Sequence, residues 1–483
     1  MVRGYKLGKA QRTGILVGLR GPQVFLVLIG IMGSVILMSQ AQIFIAILFI
    51  TGVASLAMVP VYGRNFDEWL PVLLAFAARG FGKRGKVISP APAEGHTNKK
   101  QSKIGPPPAL KGISVVEATV AGNREIGVIR DKKANTYSLV IKVTGTAFTL
   151  IDGGEQDQKL SEWGTFLASL ARENSPIHRV QWLERALPED SEALHNYFEE
   201  AVQVEAGSKL RESYEDLLQY AAPVSTSHEI YLVLTIAQGK VARIVKELGG
   251  GTKGSVEVLM KEFHGIEQLL SGAGISVEKL LSPQEVKMLI KSTFAPELIQ
   301  RNANSMSKEE MNAKLWPTAI ENNWKYLCTD GVYHATFWVA EWPRTEVAGD
   351  FLIPLLLQTR SPRTVSVVME PLPPAKTIRS IEAKRTSLLA DETIRQRAGF
   401  TATARRERDA QELVQQEVEL ADGHGPYRFS AYVTVSGNDL DQLEALVSEV
   451  EQASHQSRLI LRRLYGEQDS SFATSLPLGR GLK

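Results

Sequence analysis

Residues 21–61 contain no charged side chain, and this apolar run is long enough for two bilayer crossings of about 20 residues each. The polar break Gln40-Ala41-Gln42 divides it into spans at 22–39 and 43–61. Residues 22–61 are therefore expected to form a two-helix transmembrane hairpin, with small residues Gly30, Gly33 and Ser34 on one span and Gly52 and Ser55 on the other available for close packing. Across 67–81, Trp69, Leu70, Leu73, Phe76 and Ala77 recur at helical spacing, so the 62–88 segment predicts an amphipathic helix in the membrane interface. Residues 89–110 have no hydrophobic period and are rich in Pro, Ala, Gly and Lys, which reads as a linker.

Beyond the linker, strand patterns occupy 114–120, 125–130 and 137–143, the last two separated by the turn-like Asp131-Lys132-Lys133-Ala134-Asn135. A helix at 160–172, a strand at 178–187, a long helix at 191–219, a strand at 229–236 and a helix at 255–270 follow. Ser282-Pro283-Gln284-Glu285 opens another helix with a capping box. The order returns in the C-terminal half: strand 333–340, helix 347–357, strand 364–371, a long charged helix over 375–420, strand 427–435 and helix 439–453. Tyr137 answers Tyr333, and Ile230 answers Phe429. The fold class is accordingly α+β: a tandem pair of ferredoxin-like units, one at 111–300 and one at 301–483, in which helices cover one face of an antiparallel sheet.

Charge fixes the orientation. Arg3, Lys6, Lys9, Arg12 and Arg20 in the basic segment 1–21 precede the hairpin, and Arg64, Arg79, Lys83, Arg84 and Lys86 follow it, so both termini are expected in the cytoplasm. A cleaved signal peptide ending near Ala41 is the competing reading, but it would strand the second span. The cluster Arg79, Lys83, Arg84 and Lys86 is the candidate contact with anionic lipid. Over the whole chain of 483 residues the net charge is only +2, which gives no global reason to expect nucleic acid as a partner. Cys328 is the one cysteine, which excludes a disulfide framework within the chain.

No motif carries chemistry. Gly80-Phe81-Gly82-Lys83-Arg84-Gly85-Lys86-Val87 has the spacing of a phosphate-binding loop, yet Val87 stands where a Ser or Thr hydroxyl would meet Mg²⁺. Gly249 to Gly254 is glycine-rich without the GK[ST] ending, and reads as a loop. The histidines form no HExxH or HxxxH pair, no GxSxG elbow occurs, and Cys328 lacks any family signature for a thiol nucleophile, so neither cofactor nor metal is expected. The alternating charges of 379–419 suit a solvent-facing helix able to meet another subunit.

Tyr427 through Val435, the helix at 439–453, and Phe472-Ala473-Thr474-Ser475-Leu476-Pro477-Leu478-Gly479-Arg480 together resemble the segment that immediately precedes the motor domain in the large membrane-associated ATPases of conjugation and type IV secretion. Leu476-Pro477-Leu478-Gly479 is the most specific piece. His334 through Pro343 and Arg363 through Ser366 look like earlier strands of the same domain. The two-span hairpin with Gly63 through Leu70 is similar to the small membrane subunit that partners that ATPase. The combination resembles a membrane protein family of conjugative elements in Gram-positive bacteria. The resemblance implies a non-enzymatic structural subunit of a conjugative apparatus, with a separate motor ATPase, other membrane subunits and further copies of itself as partners, and no sequence-specific contact with nucleic acid. The ATPase family begins its Walker-containing domain where Lys483 stands, so ATP hydrolysis by that route is not expected. A type VII secretion core subunit and a membrane-anchored degenerate enzyme are the alternatives.

Overall fold

The computed structural model describes residues 21–40, 42–58, 61–62, 64–81, 86–88, 105–120, 122–146, 148–188, 198, 208–221, 226–296, 315–343, 345–357, 362–397 and 404–482. The N-terminal apolar run forms α1 (Gly21–Ser39) and α2 (Ile43–Met58). By length and composition, α1 is the one described helix able to cross a membrane; α2 is equally apolar but has 16 residues. The two helices lie against each other. A Cβ on Gly30 would stand 3.0 Å from Val53, and one on Gly33 would stand 2.5 Å from Phe49, so these glycines permit the close approach. Gly52 and Ser55, expected at this contact, are exposed instead, because Val53 and Phe49 occupy the contacting face.

The charged termini of α3 (Phe66–Phe81) follow the dipole rule at its start, where Asp67 and Glu68 occupy the first turn. A short β1 (Lys86–Ile88) comes next. The first half of the body then comprises β2 (Ile113–Val120), β3 (Arg124–Asp131), β4 (Thr136–Gly145), α4 (Gly153–Leu170), β5 (Ile177–Pro188), α5 (Lys209–Ala221), β6 (Thr226–Ala237), α6 (Gln238–Glu247), α7 (Gly251–Gly272), β7 (Ile275–Leu280) and α8 (Pro283–Phe294). In the second half are β8 (Ala319–Asn322), β9 (Leu327–Thr329), β10 (Val332–Glu341), α9 (Ile353–Leu357), β11 (Arg363–Pro371), α10 (Pro374–Arg397), α11 (Ala404–Ala421), β12 (Tyr427–Gly437), α12 (Leu440–Gln456), β13 (Ile460–Arg463) and α13 (Gln468–Phe472).

Local chemistry explains the turns and caps. Asp131 closes the β3–β4 turn by accepting from the amides of Lys133 and Ala134, while Asn135 takes the left-handed conformation that its side chain tolerates. Asp152 caps α4 through the amides of Gly154 and Glu155, and Ser282 with Glu285 forms a capping box on α8.

All strands join one antiparallel sheet in the order β1-β8-β9-β10-β12-β11-β5-β6-β4-β3-β2, with β13 also on β10 and β7 also on β4. Within it each half repeats the same plan. A leading hairpin (β2–β3 or β8–β9) and a final strand (β7 or β13) share one edge of the first long strand, and the third and second long strands follow on its other side. The halves meet through β5 and β11, Ala186 opposite Arg363 and Val180 opposite Met369.

Three apolar clusters form the interior. On one face, α4 and α7 cover β4, β5 and β6 around Phe166, Leu232 and Leu259, and α12 covers β10 and β12 around Phe337, Val433 and Leu443. On the opposite face, α8, Leu315, Trp316 and the segment from Phe472 to Leu478 cover Val140, Leu183 and Val233. Alternation along each strand sends successive side chains to these two faces.

Several expectations need correction. The long helix over 375–420 is two helices, α10 and α11, laid side by side with Arg385 2.7 Å from Glu417. Gly399, Thr401 and Thr403 lie in the sequence between them, all poor helix formers. The helix at 347–357 shrinks to α9, and of 191–219 only 198 and 208–219 are described, the latter leading into α5. β7 and β13, each the last strand of its half, were not anticipated. The end of the expected linker is packed: Leu110 is buried, while 89–104 lie outside the described residues.

Candidate interaction site: the collar and the C-terminal segment

Two long-range contacts meet around residues 464–467. The first comes from the chain just after α2. Val61 and Arg64 bridge each other, and the Trp69 indole donates to the Val61 carbonyl at 2.9 Å. Trp69 stacks on Trp324 with centroids 5.7 Å apart, and Phe76 meets the same ring edge-on at 5.0 Å. Tyr62 contacts Tyr465, and the Arg64 guanidinium lies over Trp69 while pairing with Glu467 at 3.0 Å. Both partners of that ion pair are largely covered, 13% and 17% exposed. Gly466 is required here: its φ is +73°, and a Cβ would stand 2.6 Å from Trp324. These contacts make α3 a collar held on the second half of the sheet, with Leu70, Leu73 and Leu74 exposed on its outer side.

The second contact begins at the same place. Glu467 starts α13, and from there the chain runs across the sheet over the seam between the halves. A row of buried polar side chains receives it. Gln468 pairs with the Thr336 backbone as a strand would, accepting from its amide at 2.9 Å and donating to its carbonyl at 3.3 Å. Ser475 donates to Thr434, which contacts Thr336 at 3.0 Å. Gln181, fully buried on β5, donates to Ser366 on β11 and to the carbonyls of Thr474 and Leu476, and accepts from the Gly479 amide at 2.9 Å. One side chain thus ties both halves of the sheet to the segment.

Leu476 and Leu478 drop into the apolar face of the first half, each nearly fully buried, with Pro477 buried between them. Gly479 then turns the chain at φ +62°, with its α-carbon so close to Thr235 that a Cβ would stand 2.5 Å from the hydroxyl. Arg480 reaches buried Asp131 through Nε at 2.8 Å and Nη2 at 2.6 Å, and donates to the Ala109 carbonyl. Arg179 holds the carbonyls of Gly479 and Leu482, and the Tyr432 hydroxyl donates to that of Gly481.

Charges gather where the segment leaves the sheet. Burial would raise the Glu370 carboxyl, but the hydrogen bond and charge of Arg428, with His178 and Arg179 nearby, hold it below the usual range. His178 is lowered to about 4 by burial and by the positive charges of Arg179 and Lys240. His334, fully buried beside Phe472, is lowered to about 3 by burial. Its tautomer follows from its neighbours: Thr329 spends its hydroxyl proton on the Phe294 carbonyl, so it accepts from Nε2–H of His334, and Nδ1 accepts from Ser436.

The sequence-selected residues fall into two groups. Leu476, Pro477, Leu478 and Gly479 come together at the seam. Of the lipid-contact candidates, Arg79 is on α3 with its side chain outside the described residues, as are Lys83 and Arg84 entirely. Lys86 starts β1 and lies 3.0 Å from Glu321, both exposed. A lysine opening a strand is the reverse of the phosphate-loop setting, where it opens a helix. Burial pushes the Cys328 thiol up, away from the thiolate a nucleophile requires. Among the described residues, no three His, Cys, Asp or Glu side chains converge on a metal position.

The parts that Gln181, Gln468, Asp131, Trp324 and Glu467 play at this site escaped the sequence reading. Only Gln181 left a local signal, a glutamine amid Val180, Trp182 and Leu183 in a strand. The arrangement holds polypeptide in place by backbone recognition, apolar insertion and ion pairing. No family model matches the chain, and no curated protein matches it in sequence.

Proposed function

We propose that this chain is a non-enzymatic, membrane-anchored subunit of a type IV secretion or conjugative DNA-transfer apparatus, which scaffolds a separate motor ATPase at the cytoplasmic face of the cell membrane. The observation that carries the reading is the meeting of the collar and the C-terminal segment at Gly466 and Glu467: a load on the segment is passed to the membrane-proximal helix through an ion pair and packed aromatic rings.

Both α1 and α2 cross the membrane in this reading, with both termini in the cytoplasm. Packing of Gly30 on Val53 and of Gly33 on Phe49 favours it. Leu70, Leu73 and Leu74 rest on the bilayer, and Arg79, Lys83, Arg84 and Lys86 meet anionic headgroups. Each half of the body is a ferredoxin-like unit, supported by the fourth-first-third-second order of β7-β4-β6-β5 and β13-β10-β12-β11. The Leu476–Gly479 motif keeps its resemblance to the segment preceding a conjugation motor, and the chain assembles with other copies of itself around that motor.

The test is a detergent pull-down of the tagged full chain from native membranes, with mass spectrometry of the captured proteins. Recovery of a conjugation-type ATPase supports the reading. Recovery of type VII components, or of no ATPase, sinks it.

A further inference from the structure

The two halves of the sheet correspond strand for strand from β2–β7 to β8–β13, so the places where they differ are informative. Leading hairpin β8–β9 sits on β10 as β2–β3 sits on β4, with Tyr333 opposite Cys328 where Tyr137 is opposite Arg130. The outer edge of β8 is capped by β1, Val87 lying opposite Ile320. The outer edge of β2, the matching position, pairs with no strand among the described residues.

That edge is eight residues long and regular, in full register with β3 from Ile113 to Val120. It lacks the devices that normally blunt an edge: there is no proline, and no bulge interrupts the register. Its single charge is Glu117, and this carboxylate is held by Lys287 of α8 at 3.4 Å, a lysine only 8% exposed that would otherwise be buried alone. Glu117 therefore pairs with α8, and its side chain, 63% exposed, is the one charge that β2 presents. Val115, Val116, Thr119 and Val120 supply the β-branched side chains that strand pairing favours.

We propose that β2 joins β2 of a second copy of this chain, antiparallel and about a two-fold axis through Val116, so that two sheets become one. The chain already contains such a junction: at the seam, β5 and β11 are equivalent strands of the two halves, joined antiparallel. A two-fold contact must be self-complementary, and facing residues must lie on the same side of both sheets. The Val116-centred register meets both conditions, setting Val116 against Val116, Val115 against Glu117, Ser114 against Ala118 and Ile113 against Thr119. It also keeps the two Glu117 carboxylates from facing each other directly, which a Glu117-centred register would not. The proposal rests on the self-association put forward above and identifies its surface.

Directly opposed residues have Cβ atoms ~4.5–5.5 Å apart, within reach of a cystine after small adjustment. The experiment uses the full chain in detergent with Cys328→Ser, carrying either Val116→Cys or Thr119→Cys, with mild oxidation followed by non-reducing electrophoresis; mass photometry of the parent gives its assembly state. The expected result is a two-copy particle and a covalent dimer from Val116→Cys only, since Thr119 faces Ile113 across the axis. Single-copy particles at micromolar concentration, dimers that Val116→Cys fails to link, or linking of Val116→Cys to a different protein would each overturn it. Recovery of the ATPase with a single-copy chain would remove this inference alone, and a linked dimer without an ATPase would remove the functional reading alone.

Discussion

The second faces of the two half-sheets are built differently. In the first half that face is largely apolar, Val140, Leu183 and Val233 beside buried Ser138, Gln181 and Thr235, and α8 supplies a helix of 12 residues to cover it. In the second half the matching positions are His334, Thr336, Thr434, Ser436 and Ser366, all buried, and the element that follows the last strand is α13, five residues long. What α13 lacks in bulk is made up by chain that continues across the seam into the other half. An apolar face needs area to cover it and accepts many packings. A polar face buried under polypeptide holds that polypeptide in a single register, because each unmatched hydroxyl or amide would be left without a partner.

The contrast breaks most readily at a side chain both covers share. Phe472, 1% exposed, touches Phe294 at the end of α8 and His334 on the polar face. Phe472→Ala is expected to cost about 3–5 kcal/mol in the denaturant midpoint; a loss below about 1 kcal/mol would mean the two covers are independent. Next in size is pH. His334 titrates near 3 when folded against an ordinary value of 6.5, so the unfolded chain binds the extra proton between those values and stability falls as pH drops below about 6.5. From pH 7 to pH 4 the loss from this group is about 3 kcal/mol. His178 adds to it in the same direction. His334→Gln should flatten the dependence measured by thermal unfolding across that range, and an unchanged slope would assign it elsewhere.

Gln181→Leu sharpens the comparison. It keeps the shape of the side chain but removes the partners of Gly479, Thr474 and Leu476, at a cost of about 1–3 kcal/mol. Hydrogen exchange should rise at 474–482 and stay unchanged in α8, whereas a uniform rise would show that the polar face holds no register. At the small end, Lys86→Ala removes an exposed pair with Glu321 and should shift stability by no more than about 0.5 kcal/mol in the same denaturant assay.

The long central strands were legible because their residues obey local rules. β4, β5, β6, β10, β11 and β12 all coincide with runs of alternating or continuous apolar residues, and the Ser282 box marks α8 as written. β7 and β13 were not legible. Ile275-Ser276-Val277-Glu278-Lys279-Leu280 and Ile460-Leu461-Arg462-Arg463 are short and charged, and they become strands only because β4 and β10 offer an unfilled edge. In the interaction site, Leu476 through Gly479 drew attention by resemblance, but their partners could not be read from the sequence. Gln181, Thr235 and Asp131 lie hundreds of residues away, and only the closed sheet brings them within hydrogen-bonding distance of the segment.

The seam-crossing segment also sets a timetable for biosynthesis. Leu476 and Leu478 fill the interior that β4, β5, β6 and α8 share, yet they are made long after α8 ends at Phe294. At ~5–20 residues per second the delay is on the order of 10 to 40 s. Throughout that interval the older half of the molecule carries an unfinished apolar surface on the growing chain, open to chaperones and to wrong partners. Its closure waits for Leu476 and Leu478 to be translated, so a chain stalled or truncated before them would leave the earlier half incomplete as well as the later one.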